Sequence, residues 1–283
     1  MKVTSWNLLH GQLLSLPGRS GANPSSPDQR ELLLAAARLL AVDLVGLQEV
    51  DKNQPRSGSH SQVEAIATAM GARDWAYART VIGTPGEQWR ALAKDEPRIE
   101  SNHSPAFDSS PSYGIGLISK IPVRSWHHLE LGKSRIGLPL AFPSEKGIRL
   151  IYVKDEPRIA IAAELANGFT VAVTHLSFVP LVNIYQLWKV QRWLSKLPGK
   201  KILMGDLNMP FNIPTRVSKW KSLNTKLTYP AWGAKIQFDY LLSDSISNFQ
   251  IRALELGAPQ SKSGEKLNLS DHLPISVEIT EPQ

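Results

Sequence analysis

Short apolar runs of strand length, each stopping on an acid, an amide or a histidine, recur from one end of this chain to the other. The run Val3–Trp6 stops at Asn7, Asp43–Gln48 at Glu49, and Thr170–Thr174 at His175. Ile202–Gly205 stops at Asp206, with Asn208 just beyond, Asp239 lies inside Gln237–Leu242, and Asp271 with His272 precedes Leu273–Ile279. Runs of this length read as buried strands, and the ends of strands are where a rigid scaffold presents chemistry. None approaches the ~20 apolar residues of a membrane span. The opening MKVTSWNLLH lacks the long apolar core of a signal peptide, so a cytoplasmic location is expected.

Helical signals punctuate the strands. Ser26-Pro27-Asp28-Gln29 offers an N-cap, a proline at the first helical position and a glutamine three residues after the cap, ahead of Leu32, Leu33, Ala36, Leu39 and Leu40. Ser61 with Glu64 forms a second capping box for a helix closed by Gly71, and Leu181–Leu197 reads as a third helix. Asn167-Gly168 between Arg158–Ala166 and Phe169–His175 is a strong hairpin signal. Further strands are expected at Trp75–Arg79, Tyr113–Ser119, Phe249–Leu256 and Pro274–Thr280, with long loops at Gly83–Ser112 and Pro210–Ala234. Many strands with at least three helices point to an α/β or α+β fold. The string KDEPRI occurs at Lys94–Ile99 and again at Lys154–Ile159, which is no solenoid, and no linker divides the chain.

Composition narrows the chemistry. Apolar residues make up 42% of the 283 and charged residues 20%, which fits neither a disordered nor a coiled-coil chain. Cysteine is absent, so disulfides, thiolate metal sites and a cysteine nucleophile are excluded, and any metal must use oxygen or imidazole. The net charge of +7 is unevenly spread: Lys189–Lys235 holds ten basic residues against the single acid Asp206, interleaved with Trp188, Trp193, Trp220, Tyr229 and Trp232. That composition suits a surface that holds phosphates and stacks bases, the alternative being a solvated helix face plus core tryptophans.

The strand-end set contains carboxylates, amides and imidazoles, and no serine stands in a G-x-S-x-G elbow. Mg²⁺ prefers carboxylate, amide and water oxygens and takes only one or two protein carboxylates, leaving substrate phosphate to complete its shell. The inventory therefore suits metal-assisted phosphoryl chemistry. Each residue alone reads equally as a turn former, so the combination carries the weight.

In order and spacing, SWN at 5–7, QEVD at 48–51, YGIGLIS at 113–119, THL at 174–176, GDLN at 205–208, FDYLL at 238–242 and SDHLPI at 270–275 resemble the endonuclease/exonuclease/phosphatase superfamily of DNase I-like, metal-dependent phosphoesterases. The resemblance spans residues 5–275 and implies one domain over 1–283, a four-layer αββα sandwich of two mixed sheets with helices outside. It implies that Glu49 is the principal ligand of Mg²⁺ (or Mn²⁺), with Asn7 and Asp271 contributing to the metal and its waters. Asp206 and Asn208 then bind attacking water and phosphate, Asp239 orients His272, and His175 meets the phosphate oxygens. Either His272, backed by Asp239, or Asp206 serves as the base. Arg158 matches an arginine common in the family. Tyr113-Gly114-Ile115-Gly116 departs from it, standing where many relatives carry an Asn-Ala pair, so that Tyr113 either stacks on a substrate base or fills core.

Three functions follow as expectations. The first is hydrolysis of a phosphodiester in DNA or RNA by in-line attack of activated water. The second is a phosphatase or phospholipase C-like hydrolase of a small or lipid phosphoester, and the third a non-catalytic binding scaffold. The set of metal and base residues is complete, which weighs against the scaffold. A monomer without an obligate protein partner is expected.

Overall fold

The computed structural model describes residues 1–12, 27–144, 147–257 and 269–281. In chain order the strands are β1 (Lys2–Asn7), β2 (Leu44–Lys52), β3 (Asp74–Gly83), β4 (Trp89–Ala91), β5 (Ile99–Ser101), β6 (Ser112–Ser119), β7 (Val123–Gly132), β8 (Leu138–Ser144) and β9 (Gly147–Val153). They continue as β10 (Arg158–Leu165), β11 (Phe169–His175), β12 (Lys200–Asp206), β13 (Lys221–Ser222), β14 (Asp239–Ser243), β15 (Gln250–Ala253) and β16 (Ile275–Thr280). The helices are α1 (Pro27–Leu39), α2 (Gln62–Met70), α3 (Val182–Leu194) and α4 (Ile213–Ser218).

One sheet runs β15-β16-β1-β2-β6-β3-β4, with β5 also on β3; the other runs β13-β14-β12-β11-β10-β7. Each is mixed, with β1 parallel to β2 in the first and β11 parallel to β12 in the second. Their inner faces interlock through Val3, Leu44, Ile115, Leu117, Ile161, Val171, Val173 and Met204, among others. Gly46 on β2 sits where Met204 and Val173 of the opposite sheet press closest, and a methyl group there would lie 2.7 Å from Met204 Cε. The outer face of the first sheet packs under α1 and α2, through Leu33, Ala37, Val63 and Ile66. The outer face of the second packs under α3, through Leu187, Val190 and Leu194. This is the expected four-layer sandwich.

Local signals act as read: Ser61 Oγ accepts from Glu64 N at 3.3 Å, and Gly71 ends α2 in the left-handed region at φ 63°. The N-cap expected at Ser26 lies outside the described residues. Three expectations change. Gly83–Ser112 is not one loop, because β4 and β5 within it pair with β3. Pro210–Ala234 contains α4 and β13. The sequence reading passes over β7, whose exposed strand mixes polar and apolar residues rather than forming an apolar run, and over the β8–β9 hairpin, whose two prolines in β8 argue against a strand.

Gly205 shows how closely β11 and β12 approach. Its φ is 147°, and a methyl group on it would lie 1.9 Å from Thr174 O. Gly205→Ala is expected to cost on the order of 2–4 kcal/mol through strain and overpacking. Urea unfolding measures it, and a variant as stable as the parent would contradict the steric argument.

Candidate active site

Backbone register assembles half of the site. The β11–β12 pairing sets His175 opposite Asp206, and the β12–β14 pairing sets Asp206 opposite Asp239, so one row across the second sheet carries all three. Two residues on, Asn208 has a left-handed φ of 51° and donates its backbone N–H to Asp206 Oδ1 at 2.9 Å. Its Nδ2 donates to Leu176 O at 2.9 Å, which fixes the amide orientation, and its other hydrogen points at His175 Nε2, 3.1 Å away. His175 Nε2 is therefore an acceptor. Burial, then the charges of Arg158 and His272, hold this imidazole well below its usual pKa, so it is neutral.

The first sheet supplies the other half. The sequence places Glu49 at a strand end, but β2 continues to Lys52, and Glu49 occupies a bulge between Leu47 and Val50 with φ 56°. A bulge re-aims a side chain that regular alternation would commit to one face. Asn7, fully buried at the end of β1, donates from Nδ2 to Glu49 Oε1 at 2.9 Å and to Asp206 Oδ2 at 3.0 Å. Ser270 Oγ donates to Asn7 O at 2.7 Å and accepts from His272 N at 3.0 Å, fastening the Asp271–His272 turn onto β1. His272 Nδ1 meets Asp239 Oδ2 at 2.7 Å, while its Nε2 lies 3.8 Å from Asp206 Oδ2, too far for a hydrogen bond. Tyr229, at 5.0 Å between ring centroids, and Phe238, at 6.3 Å, wall the imidazole.

The electrostatics follow from crowding carboxylates out of water. Burial, with the charge of Asp239, pushes Asp206 up to about 7 despite nearby His272. Burial, with the charges of Glu49 and Asp239, raises Asp271 to about 6. Burial opposes the charge on His272, but Asp239 and Asp206 outweigh it and raise that imidazole to about 10. Crowded buried carboxylates of this kind are ones a cation could neutralise. Asp206, Asp239 and His272 present ligand atoms within 4.8 Å of one another, and Asp239 Oδ1 is buried without a hydrogen-bond partner. The oxygen-rich donors fit a hard divalent ion.

Arg158 opens β10, 5% exposed, ion-paired with Asp155 at 3.4 Å and Glu156 at 3.2 Å, and its Nε is buried without a partner. Tyr113 is buried on β6, with Arg56 stacked over its ring at 5.8 Å, so it fills core and is not a free stacking platform. Sequence reasoning missed Glu156, which burial raises to about 7, and the Arg56–Asp51 pair, bidentate at 2.8 Å. Burial and Arg56 push His10 down to about 3. The basic window does not form one surface. Lys200 and Lys201 begin β12 and Asp206 ends it, roughly 20 Å apart at strand rise. Trp220 is buried, and Lys219 and Lys221 line a groove with Phe249 and Ile251 away from the site.

This architecture is that of the αββα-sandwich phosphoesterases. The sequence matches the profile of the Endonuclease/Exonuclease/phosphatase family over residues 4–272, and the chain belongs to that family, whose enzymes hydrolyse phosphoesters and generally depend on a divalent metal. No curated protein sequence matches the chain. Among solved structures it is similar to the mannosyl-6-phosphatase Bt3783 of Bacteroides thetaiotaomicron (14% identity, 99% of both chains, TM-score 0.57). It is also similar to the human Nocturnin catalytic domain with bound sulfate (16%, 99% and 93%, 0.55) and to truncated Caenorhabditis elegans TDP2 (16%, 99% and 97%, 0.54). At these identities the likeness concerns the fold.

The His272–Asp239 contact yields a titration. Because the folded pKa, about 10, exceeds the unfolded value of about 6.5, its stabilisation is complete below about pH 6.5 and fades as pH rises through about 10. In metal-free protein, NMR is expected to find His272 still protonated at pH 8, and Asp239→Asn to move its titration down. A wild-type midpoint near 6.5 would remove the assigned role of Asp239.

Proposed function

We propose that this protein is a divalent-metal-dependent phosphoester hydrolase in which activated water attacks phosphorus in line and the P–O bond to the leaving alcohol breaks. The observation that carries the reading is the bridge Glu49–Asn7–Asp206, which joins the two sheets at the point where His175, Asp239 and His272 converge. Glu49 and Asp271 are assigned to hold Mg²⁺ or Mn²⁺, while Asn7, whose Nδ2 rather than Oδ1 faces Glu49, positions that carboxylate instead of ligating the ion as the resemblance implied. Bound there, such an ion neutralises charge on the phosphate as the transition state forms.

The remaining residues take roles from their protonation. A base must start unprotonated, and His272 holds its proton to about pH 10, whereas Asp206 loses its own near 7. On this reading Asp206 takes the proton from the attacking water, and His272 Nε2–H donates to a phosphate oxygen. Asn208, its amide hydrogens held by Leu176 O and His175 Nε2, positions neutral His175, whose other ring N–H is the one left to donate to the phosphate. Arg158 adds positive charge at the pocket wall.

The polynucleotide reading drew on the basic window, of which Lys200 and Lys201 lie at the end of β12 away from Asp206. A small or lipid phosphoester needs no such groove, and by analogy of fold alone a mannosyl-6-phosphatase uses the same architecture. A substrate panel of plasmid DNA, single strands, inositol phosphates and sphingomyelin separates the two, since only hydrolysis of a polyanion falls steeply with salt.

Glu49→Ala, or removal of metal by EDTA, is expected to abolish turnover with the fold intact; activity that survives both would refute the metal assignment. Asp206→Asn is expected to lower kcat by roughly 10²–10⁴-fold and to erase the rise of rate with pH through about 7, the value at which Asp206 ionises. If that rise vanishes in His272→Asn instead, the base is His272.

A further inference from the structure

At the catalytic end of the second sheet, Gly132 ends β7 opposite Arg158, and the chain leaves as the β8–β9 hairpin. This hairpin is a two-stranded sheet of its own and packs broadly against no other element among the described residues. Its root is clamped to the site: Asp155 Oδ2 accepts from Ser134 N at 2.6 Å and from Ser177 Oγ at 2.8 Å, two residues past His175. Yet Ile136, Leu150, Ile151 and Tyr152 are 62%, 68%, 40% and 61% exposed. Next to it, α3 is tied to the end of β7 by Gln186 Nε2 donating to Gly132 O and to the site by Asn183 Nδ2 donating to Asn208 O. Leu181, just before α3, and Tyr185 and Trp188 on it are 76%, 57% and 52% exposed. Seven of the twelve large apolar side chains exposed among the described residues thus lie on two adjoining elements beside the pocket.

Cations frame this patch. Lys133, Arg135 and Lys154 are exposed at the hairpin root, whereas the acids there, Asp155 and Glu156, are buried. The helix α3 contains no acid, and Lys189 and Arg192 lie over the rings of Tyr185 and Trp188 at 5.8 and 5.6 Å. Aliphatic side chains gain little from stacked bases, and the solvent that stabilises Ile136, Leu150, Ile151 and Leu181 together is hydrocarbon. Cations flanking apolar and aromatic residues complement a negatively charged headgroup layer.

We propose that the hairpin and the exposed stripe of α3 form a docking surface for an anionic lipid membrane and hold the pocket against phosphoesters displayed on it. The docking stands on the surface alone; the lipid phosphoester as substrate rests on the hydrolase reading above. The test is sedimentation of the full chain with phosphatidylcholine–phosphatidylserine vesicles and with phosphatidylcholine alone, beside Leu150→Asp/Ile151→Asp, with hydrolysis of a soluble nitrophenyl phosphodiester measured in parallel. We expect binding to the mixed vesicles that salt weakens, at least about a tenfold loss in the double variant, and unchanged hydrolysis of the soluble ester and unchanged melting temperature. Absence of sedimentation, or equal sedimentation of the variant, overturns the proposal. So does light scattering that finds a dimer which the variant dissolves, since the patch then covers a second copy, and so does loss of oligonucleotide binding in a chain that ignores vesicles. Hairpin-dependent vesicle binding with no hydrolysis of any ester leaves the docking surface standing and removes the hydrolase reading.

Discussion

One buried amide holds the active end of this fold together. Asn7 spends both hydrogens of Nδ2 on carboxylates that belong to different sheets, Glu49 on β2 and Asp206 on β12, while Leu9 N–H donates to its Oδ1 at 3.1 Å. That last bond prevents the flip that would turn the amide oxygen toward two negative groups. The arrangement tolerates little sliding of one sheet over the other, since a hydrogen bond weakens within a few tenths of an ångström beyond its normal range. Packing at Gly46 against Met204 and Val173, two to three residues from Glu49, Asp206 and His175, limits how far the sheets can shift beneath the bridge.

The same closeness makes the site electrostatically expensive. Asp206, Asp239 and Asp271 are buried, or nearly so, and burial with mutual repulsion raises Asp206 and Asp271 toward neutrality. The imidazolium of His272 offsets part of this, yet Asp239 Oδ1 still lacks a partner. A cation that binds such a cluster also releases its protons, so metal affinity and pH are linked, and mass action adds its binding energy to the stability of the fold. The repulsion within the cluster and the fit of its donors to a divalent ion have one origin.

What the sequence made legible was what strand ends encode locally. Asn7, His175, Asp206, Asp239 and the Asp271–His272 turn each terminate or open a run, and register then brings them together. The bulge at Glu49 was not legible, because a positive φ in a non-glycine residue within an apolar run leaves no compositional trace. Neither was Glu156. The two KDEPRI segments show why: in the first, Glu96 pairs at the surface with Arg90 at 2.7 Å, whereas in the second, Glu156 and Arg158 are buried beside the pocket. Six identical residues adopt different protonation and partners according to what packs over them, which no local pattern records. The basic window splits in a related way, since β12 carries Lys200 and Lys201 to the pole away from Asp206 while Tyr229 and α3 lie by the site, and a charge count along the chain ignores that.

The hairpin poses the opposite problem, of a segment whose own energetics do not explain it. A lone two-stranded sheet is marginal in water, and this one leaves Leu150, Ile151 and Tyr152 exposed where burial would have contributed about 1.5–3 kcal/mol for each large apolar side chain. Its persistence comes from its root, where Gly137 N donates to Tyr152 Oη at 2.8 Å and Asp155 joins Ser134 to Ser177. Asp155 also contacts Arg158. The clamp that supports the hairpin is therefore continuous with the wall of the pocket, and whatever covers those apolar side chains bears on the position of Arg158.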